Sequence, residues 1–116
     1  MMPVVIEKIQ PVNEIKPVLH NNPENSFFTS NELLQCSEKN KIKSLGARYM
    51  IKKSIIDFLE ISDDYASIEI INNASGKPEA ILSDKLKQTI NKKKLTNLQI
   101  SISHSKNYIA TLVIFE

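Results

Sequence analysis

The chain has 116 residues, of which 41% are hydrophobic and 24% are charged, and its formal net charge is +2. These values predict a single folded domain over residues 1–116 and argue against disorder. Basic residues do not cluster with aromatic ones, so no nucleic-acid partner is expected. One cysteine, Cys36, rules out an internal disulfide, and no signal peptide or membrane-spanning run is predicted. We therefore expect a soluble cytoplasmic protein.

The N-terminal third predicts one strand followed by short helices. Val4-Val5-Ile6 is a β-branched run of the kind found in strands. Prolines interrupt the next stretch, so any helix there is short. Thr29 with Glu32 three residues later is a capping-box pattern, which begins a brief helix that runs towards Lys39.

The segment 41–60 is the most strongly helical part of the chain. It contains no proline, and its hydrophobic residues fall on two roughly opposite stripes at helical spacing. One stripe consists of Ile42, Leu45, Tyr49, Ile56 and Leu59, and the other of Ala47, Ile51, Ile55 and Phe58. Such a helix is predicted to be covered on two sides, by its own sheet and by something else, which is either a neighbouring subunit or a second layer of the same chain.

The C-terminal half predicts four strands and one more helix. The strands are expected at Ser67–Ile70, Glu79–Leu82, Leu98–His104 and Tyr108–Phe115, with a short amphipathic helix at Asp84–Lys94. The order is therefore strand, helices, two strands, short helix, two strands. This order predicts an α+β domain in which a small antiparallel sheet packs against the long central helix.

Two pairs of charged residues on the long helix are candidates for chemistry. Arg48 and Lys52 lie one turn apart between apolar neighbours, where two cations need a nearby anion, and this suggests phosphate. Lys53 and Asp57 are four residues apart and can pair on one face. An exposed pair of this kind usually has no functional meaning.

Two later motifs also have a purely structural interpretation. Gly76-Lys77-Pro78 alone predicts a turn that leads into a strand. In Ser101-Ile102-Ser103-His104-Ser105, His104 shares a strand face with Ile100 and Ile102, so on its own it is predicted to be a buried structural histidine. No Asp or Cys stands nearby in sequence to make it part of a hydrolytic site.

Together these motifs resemble the 4'-phosphopantetheinyl transferase superfamily, in particular its holo-acyl-carrier-protein synthase type. That family has an aromatic residue followed by Lys-Glu-Ala or Lys-Glu-Ser on a helix, then a Gly-Lys-Pro turn, then a Ser-x-Ser-His hairpin. The corresponding segments here are Leu45–Ser54, Gly76-Lys77-Pro78 and Ser101–Ser105. Phe27–Leu33 is similar to the family's helix-opening phrase, so the resemblance covers residues 27–116.

The resemblance implies transfer of phosphopantetheine from coenzyme A, the substrate, to a serine of an acyl carrier protein. It implies Mg²⁺ held by carboxylates against the diphosphate, and a homotrimer with its site between subunits. The residues that would contact coenzyme A by this resemblance are Arg48, Lys52, Gly76, Lys77, Pro78, Ser103 and His104.

The chain departs from the family at the metal ligands. The glutamate of the Lys-Glu-Ser motif is Lys53 here, and Asp57 stands where the family often has a phosphate-binding lysine. The early Gly-x-Asp phrase is missing, and Glu7 is the nearby acid that could replace its aspartate. An ammonium group cannot ligate Mg²⁺, which puts the metal in question. The candidate catalytic residues are Lys52, Lys53 and Asp57, and the candidate metal ligands are Glu7 and Asp57.

Three interpretations follow from these departures. The chain is an active transferase with a rearranged site, in which Glu7 and Asp57 hold the metal or Lys53 replaces it. Alternatively, it is a catalytically degenerate homologue that binds coenzyme A or a carrier protein without transfer. In the third interpretation it is an unrelated small α+β binding domain.

Overall fold

The structure, a computed structural model, describes residues 3–36 and 39–116. Its strands and helices are, in chain order, β1 (Val4–Pro11), α1 (Val12–His20), α2 (Ser30–Gln35), α3 (Lys41–Leu59), β2 (Ile68–Asn72), β3 (Pro78–Leu82), α4 (Asp84–Lys92), β4 (Leu98–His104) and β5 (Tyr108–Phe115). This is the order that the sequence predicts. None of these helices is long and apolar enough to cross a membrane, in the part of the chain described.

The strands form two antiparallel sheets. β1, β5 and β4 make a three-stranded sheet in that order, and β2 and β3 make a separate hairpin. β3 lies beside β4 without joining it through a backbone ladder. The prediction of a small antiparallel sheet against a long helix is confirmed, with the sheet divided at this boundary.

Successive side chains along each strand point to opposite faces of the three-stranded sheet. The inner face packs on α3, and the other is the outer face. β5 turns Ile109, Thr111, Val113 and Phe115 into the core. β1 is paired so that Lys8 lies opposite Thr111 and Glu7 lies opposite Leu112. The inner face of β1 therefore carries Val4, Ile6, Lys8 and Gln10, and its outer face carries Val5, Glu7 and Ile9.

α3 is buried on nearly all sides by its own chain. Ile51, Ile55 and Ile56 pack in the main core with the buried residues of β2 and β5. On another side, α1 and β5 approach the helix closely: a Cβ at Gly46 would stand 2.9 Å from Ile15 Cγ2 on α1 and 2.8 Å from Ile109 Cδ1 on β5. A second layer of the same chain therefore accounts for the two apolar stripes, and they no longer argue for a neighbouring subunit.

Candidate functional site

Lys52 lies in the core rather than at the surface. Its side chain is 0% exposed, and its ammonium donates to Glu32 Oε1 at 2.5 Å. The same ammonium donates to the carbonyl oxygens of Phe27 at 2.6 Å and Tyr65 at 3.2 Å. Burial lowers the pKa of Lys52, and the hydrogen bond and charge of Glu32 oppose that change. All three donors of the ammonium are thus used inside the protein.

Glu32 is the anion that the sequence interpretation missed. The capping box predicted at Thr29 is present: Glu32 N donates to Thr29 Oγ1, and Thr29 N donates to Glu32 Oε1 at 3.0 Å. The same carboxylate also accepts from Ile70 N at 3.0 Å, so it joins α2 to β2 as well as to Lys52. The capping box was the only sequence signal for this residue, and it gave no sign of the distant lysine.

Arg48 is enclosed in the same region. Its Nε donates to the carbonyl of Ile70 at 2.9 Å, and its Nη1 donates to the carbonyl of Ser44 at 3.2 Å. The guanidinium is buried. Lys52 thus has its anion within the chain, in Glu32, and Arg48 donates to two backbone carbonyls. This burial argues against the predictions that these two cations contact coenzyme A and that Lys52 is catalytic.

Lys53 and Asp57 form the ion pair that their spacing predicted. Lys53 Nζ and Asp57 Oδ1 are 3.3 Å apart, and the side chains are 43% and 61% exposed. The hydrogen bond and charge of Asp57 raise the pKa of Lys53, which keeps its ammonium charged. Unlike Lys52, this lysine is accessible to a ligand.

The Lys53–Asp57 pair borders a cavity of about 340 Å³ between β1, α1 and α3. Its polar lining consists of Lys8, Gln10, Glu14, Lys53, Ser54 and Asp57. Lys8 enters the lining because it lies on the inner face of β1. The cavity thus brings together two ammonium groups and two carboxylates from three elements.

The Gly76-Lys77-Pro78 segment forms the turn that the sequence predicts. Gly76 has a φ of +85°, which favours glycine, and its amide donates to the carbonyl of Asn73 at 2.9 Å. Pro78 begins β3. An open cavity of about 490 Å³ between β3 and β4 is lined by Lys77 and Pro78 on one side and by Leu98 and Ile100 on the other. The turn therefore lies along β4, the strand that ends in Ser103 and His104.

His104 is exposed, and the prediction of a buried structural histidine is wrong. The alternation along β4 places it on the inner face with Ile100 and Ile102, which pack against the core. His104 is the last residue of the strand, however, and lies beyond the hydrophobic layer. Ser103 is exposed as well. Both side chains are accessible at this end of the sheet.

Comparison with known proteins identifies the family. No family model matches the chain. A holo-[acyl-carrier-protein] synthase from Dehalococcoides mccartyi is 32% identical over 92 residues, which cover 78% of this chain and 76% of the relative. Another from Caldanaerobacter subterraneus is 30% identical over 112 residues, which cover 91% of this chain and 88% of the relative. The chain belongs to the holo-[acyl-carrier-protein] synthase family.

Solved structures of family members share the fold. A holo-[acyl-carrier-protein] synthase from Neisseria meningitidis aligns with a TM-score of 0.80 at 18% identity, over 97% of this chain and 96% of that one. One from Helicobacter pylori in complex with coenzyme A aligns with a TM-score of 0.77 at 19% identity, over 97% and 100%. The resemblance seen in the motifs is confirmed, and the unrelated-domain interpretation is excluded.

This family member does not present the metal ligands expected from its sequence. Glu7 lies on the outer face of β1, whereas Asp57 lies on α3 against the inner face. The sheet separates the two carboxylates within one chain, which argues against the prediction that Glu7 and Asp57 hold one metal ion. Within residues 3–36 and 39–116, no group of three His, Cys, Asp or Glu side chains is placed to hold a metal. The cavity offers two carboxylates, Glu14 and Asp57, but it also holds the ammonium groups of Lys8 and Lys53, whose charges oppose a divalent cation there.

Proposed function

We propose that this chain transfers 4'-phosphopantetheine from coenzyme A to a serine of an acyl carrier protein. Similarity to two relatives named holo-[acyl-carrier-protein] synthase, over most of both chains, carries the proposal. The alignment with a family member bound to coenzyme A is consistent with that donor.

In this reaction the hydroxyl of the carrier serine attacks the phosphorus next to the pantetheine arm of coenzyme A. A new phosphorus–oxygen bond forms, and the phosphoanhydride bond breaks. 3',5'-ADP leaves with the electron pair, and the serine proton passes to the solvent or to a nearby carboxylate. Such transfers depend mainly on positioning and on cations that stabilise the charge on the phosphoryl oxygens.

The residues proposed to bind the donor are those that the structure leaves accessible. Lys77, on the exposed turn beside β4, is a cation for the donor phosphates. Ser103 and His104 lie at the end of β4 and add hydrogen-bond donors. Lys53 and Asp57 border the cavity near α1 and form the proposed catalytic pair.

We also propose that the chain assembles as a homotrimer through the outer face of its three-stranded sheet. That face exposes Val5 by 56%, Ile9 by 61% and Tyr108 by 52%, beside the half-buried Leu112 and Ile114. Sedimentation equilibrium is expected to give three times the chain mass for the wild type and a smaller species for Ile9→Glu. A monomeric wild type at micromolar concentration would contradict the trimer.

The proposed partner and location follow from the same chemistry. A carrier protein rich in acidic residues suits a chain with a net charge of +2. Because the proposed donor and acceptor are coenzyme A and an acyl carrier protein, we propose a cytoplasmic location. Burial raises the pKa of the Cys36 thiol, which favours the unreactive thiol form expected of a reduced structural cysteine.

A second candidate function is binding without transfer. It is favoured by the position of Lys53, which stands where the family's metal-ligating glutamate is expected, and by the mixed charges of the cavity. In that case the chain binds coenzyme A or a carrier protein and releases it unchanged.

Mass spectrometry of an acyl carrier protein incubated with coenzyme A and this chain separates the two functions. A gain of one phosphopantetheine group is the expected result. A serine-to-alanine variant of the carrier is the control and gains nothing. Retention of the apo-carrier mass with several carriers, while coenzyme A still binds in calorimetry, would contradict transfer and favour binding alone.

A further inference from the structure

The cavity bordered by β1, α1 and α3 contains a cation that sequence reasoning did not single out. Lys8 lies opposite Thr111 in the β1–β5 pairing, which directs it to the same face as the buried residues of β5. It lines the 340 Å³ cavity together with Lys53. Lys8, and not Glu7, is therefore the neighbour on β1 that shares a cavity with Lys53.

The two lysines differ in how they are neutralised. Lys53 is held 3.3 Å from Asp57. Lys8 forms no hydrogen bond or ion pair with any residue in the described ranges, although Glu14 lines the same cavity. An exposed ammonium group without a carboxylate partner retains its full capacity to bind an anion.

Lys8 and Lys53 line one cavity, so a divalent cation bound there would lie near two ammonium groups. Charges of like sign within a few ångströms repel each other, and magnesium needs oxygen ligands that an ammonium cannot provide. An anion with several oxygens is instead attracted by both ammonium groups, because each ammonium can donate up to three hydrogen bonds. Glu14 and Asp57 also line the cavity, so its formal charges balance, and Asp57 is already paired with Lys53. The case for a phosphate group therefore rests on the ammonium donors, above all on Lys8, which has no carboxylate partner in the described ranges.

We propose that Lys8 and Lys53 bind the diphosphate of a coenzyme A-type donor directly, and that this cavity requires no divalent cation. The inference rests on the proposed function, since it concerns the donor of that reaction. Asp57 then acts as a competitor for Lys53 and not as a metal ligand. The pair of lysines supplies the fixed positive charge that the transferred phosphoryl group needs.

Isothermal titration calorimetry with coenzyme A, in EDTA and in MgCl₂, tests this inference. The wild type is expected to bind with the same Kd in both buffers. Lys8→Ala and Lys53→Ala should each weaken binding by about tenfold or more, as for a lost charge-assisted hydrogen bond. Lys92→Ala, an exposed lysine on α4 outside the cavity, is the matched control and should leave Kd unchanged.

Asp57→Asn distinguishes a competitor from a metal ligand. It should tighten binding in EDTA, because Lys53 is then released to the diphosphate. Binding of the wild type only with Mg²⁺, or weaker binding by Asp57→Asn, would overturn the proposal. Unchanged binding by both lysine variants, or no binding of coenzyme A in either buffer, would also overturn it.

Transfer to a carrier protein is measured separately from coenzyme A binding, so that the proposed function and the proposed anion site can fail independently. Metal-free binding that needs both lysines, without any mass gain on a carrier protein, supports this anion site and refutes the transferase. A mass gain that disappears in EDTA supports the transferase and refutes the metal-free site.

Discussion

Replacing Lys52 by Met is the sharpest test of whether this lysine is structural. Methionine keeps much of the buried stem but removes the ammonium that donates to Glu32 and to the carbonyls of Phe27 and Tyr65. The carboxylate of Glu32, 0% exposed, then lacks its counter-charge. Breaking a buried ion pair by removing one partner costs about 3–5 kcal/mol, a large share of the roughly 5–15 kcal/mol that stabilises a typical domain.

Urea denaturation at fixed protein concentration measures this cost. Lys53→Met is the matched control, because it removes the same charge one residue along the helix from an exposed pair. It is expected to change stability by at most about 0.5 kcal/mol. A loss below about 1 kcal/mol for Lys52→Met would refute the burial argument and return Lys52 to the set of candidate ligand-binding residues.

The double variant Glu32→Gln/Lys52→Met completes the test. Since it leaves no unpaired buried charge, it is expected to be less destabilised than the sum of the two single variants. Strict additivity would mean that the two side chains do not interact as their 2.5 Å separation indicates.

Three further predictions concern single positions. The buried hydroxyl of Thr111 has no hydrogen-bond partner among the described residues, so Thr111→Val should raise the free energy of unfolding by about 1–2 kcal/mol, and a loss in urea denaturation would contradict this. Burial raises the pKa of Tyr65 to about 12, and because an unfolded tyrosine ionises near 10, stability should fall as pH rises from about 10 to 12. The Tyr65→Phe variant should lose less stability than the wild type over this pH range. Equal losses in the two proteins would contradict the prediction. His104→Ala should lower kcat/KM for transfer by about tenfold or more with an unchanged melting temperature, and full activity would remove His104 from the site.

Elements with clear periodicity could be predicted from the sequence. The apolar run at Tyr108–Phe115 and the uninterrupted helical pattern after Lys41 coincide with β5 and α3, because alternation and helical spacing are local properties. The turn at Gly76 was equally local. The order of the three motifs, rather than any one of them, indicated the family.

The site depended on contacts that no local pattern contains. Lys52 was interpreted as a ligand for phosphate because its partner Glu32 lies twenty residues upstream and reaches it only when α2 packs on β2. Glu7 was proposed as a metal ligand because it is the nearby acid, but it lies on the outer face of the sheet, and the next residue, Lys8, lies on the inner face. The β-branched run Val4-Val5-Ile6 ends before these two residues, so it did not predict which of them faces the core.

The most direct test of the account is the mass of an acyl carrier protein after incubation with coenzyme A and this chain in excess EDTA. The account predicts a gain of one phosphopantetheine group, undiminished by the chelator and lost in the double variant Lys8→Ala/Lys53→Ala. No gain in EDTA would contradict it.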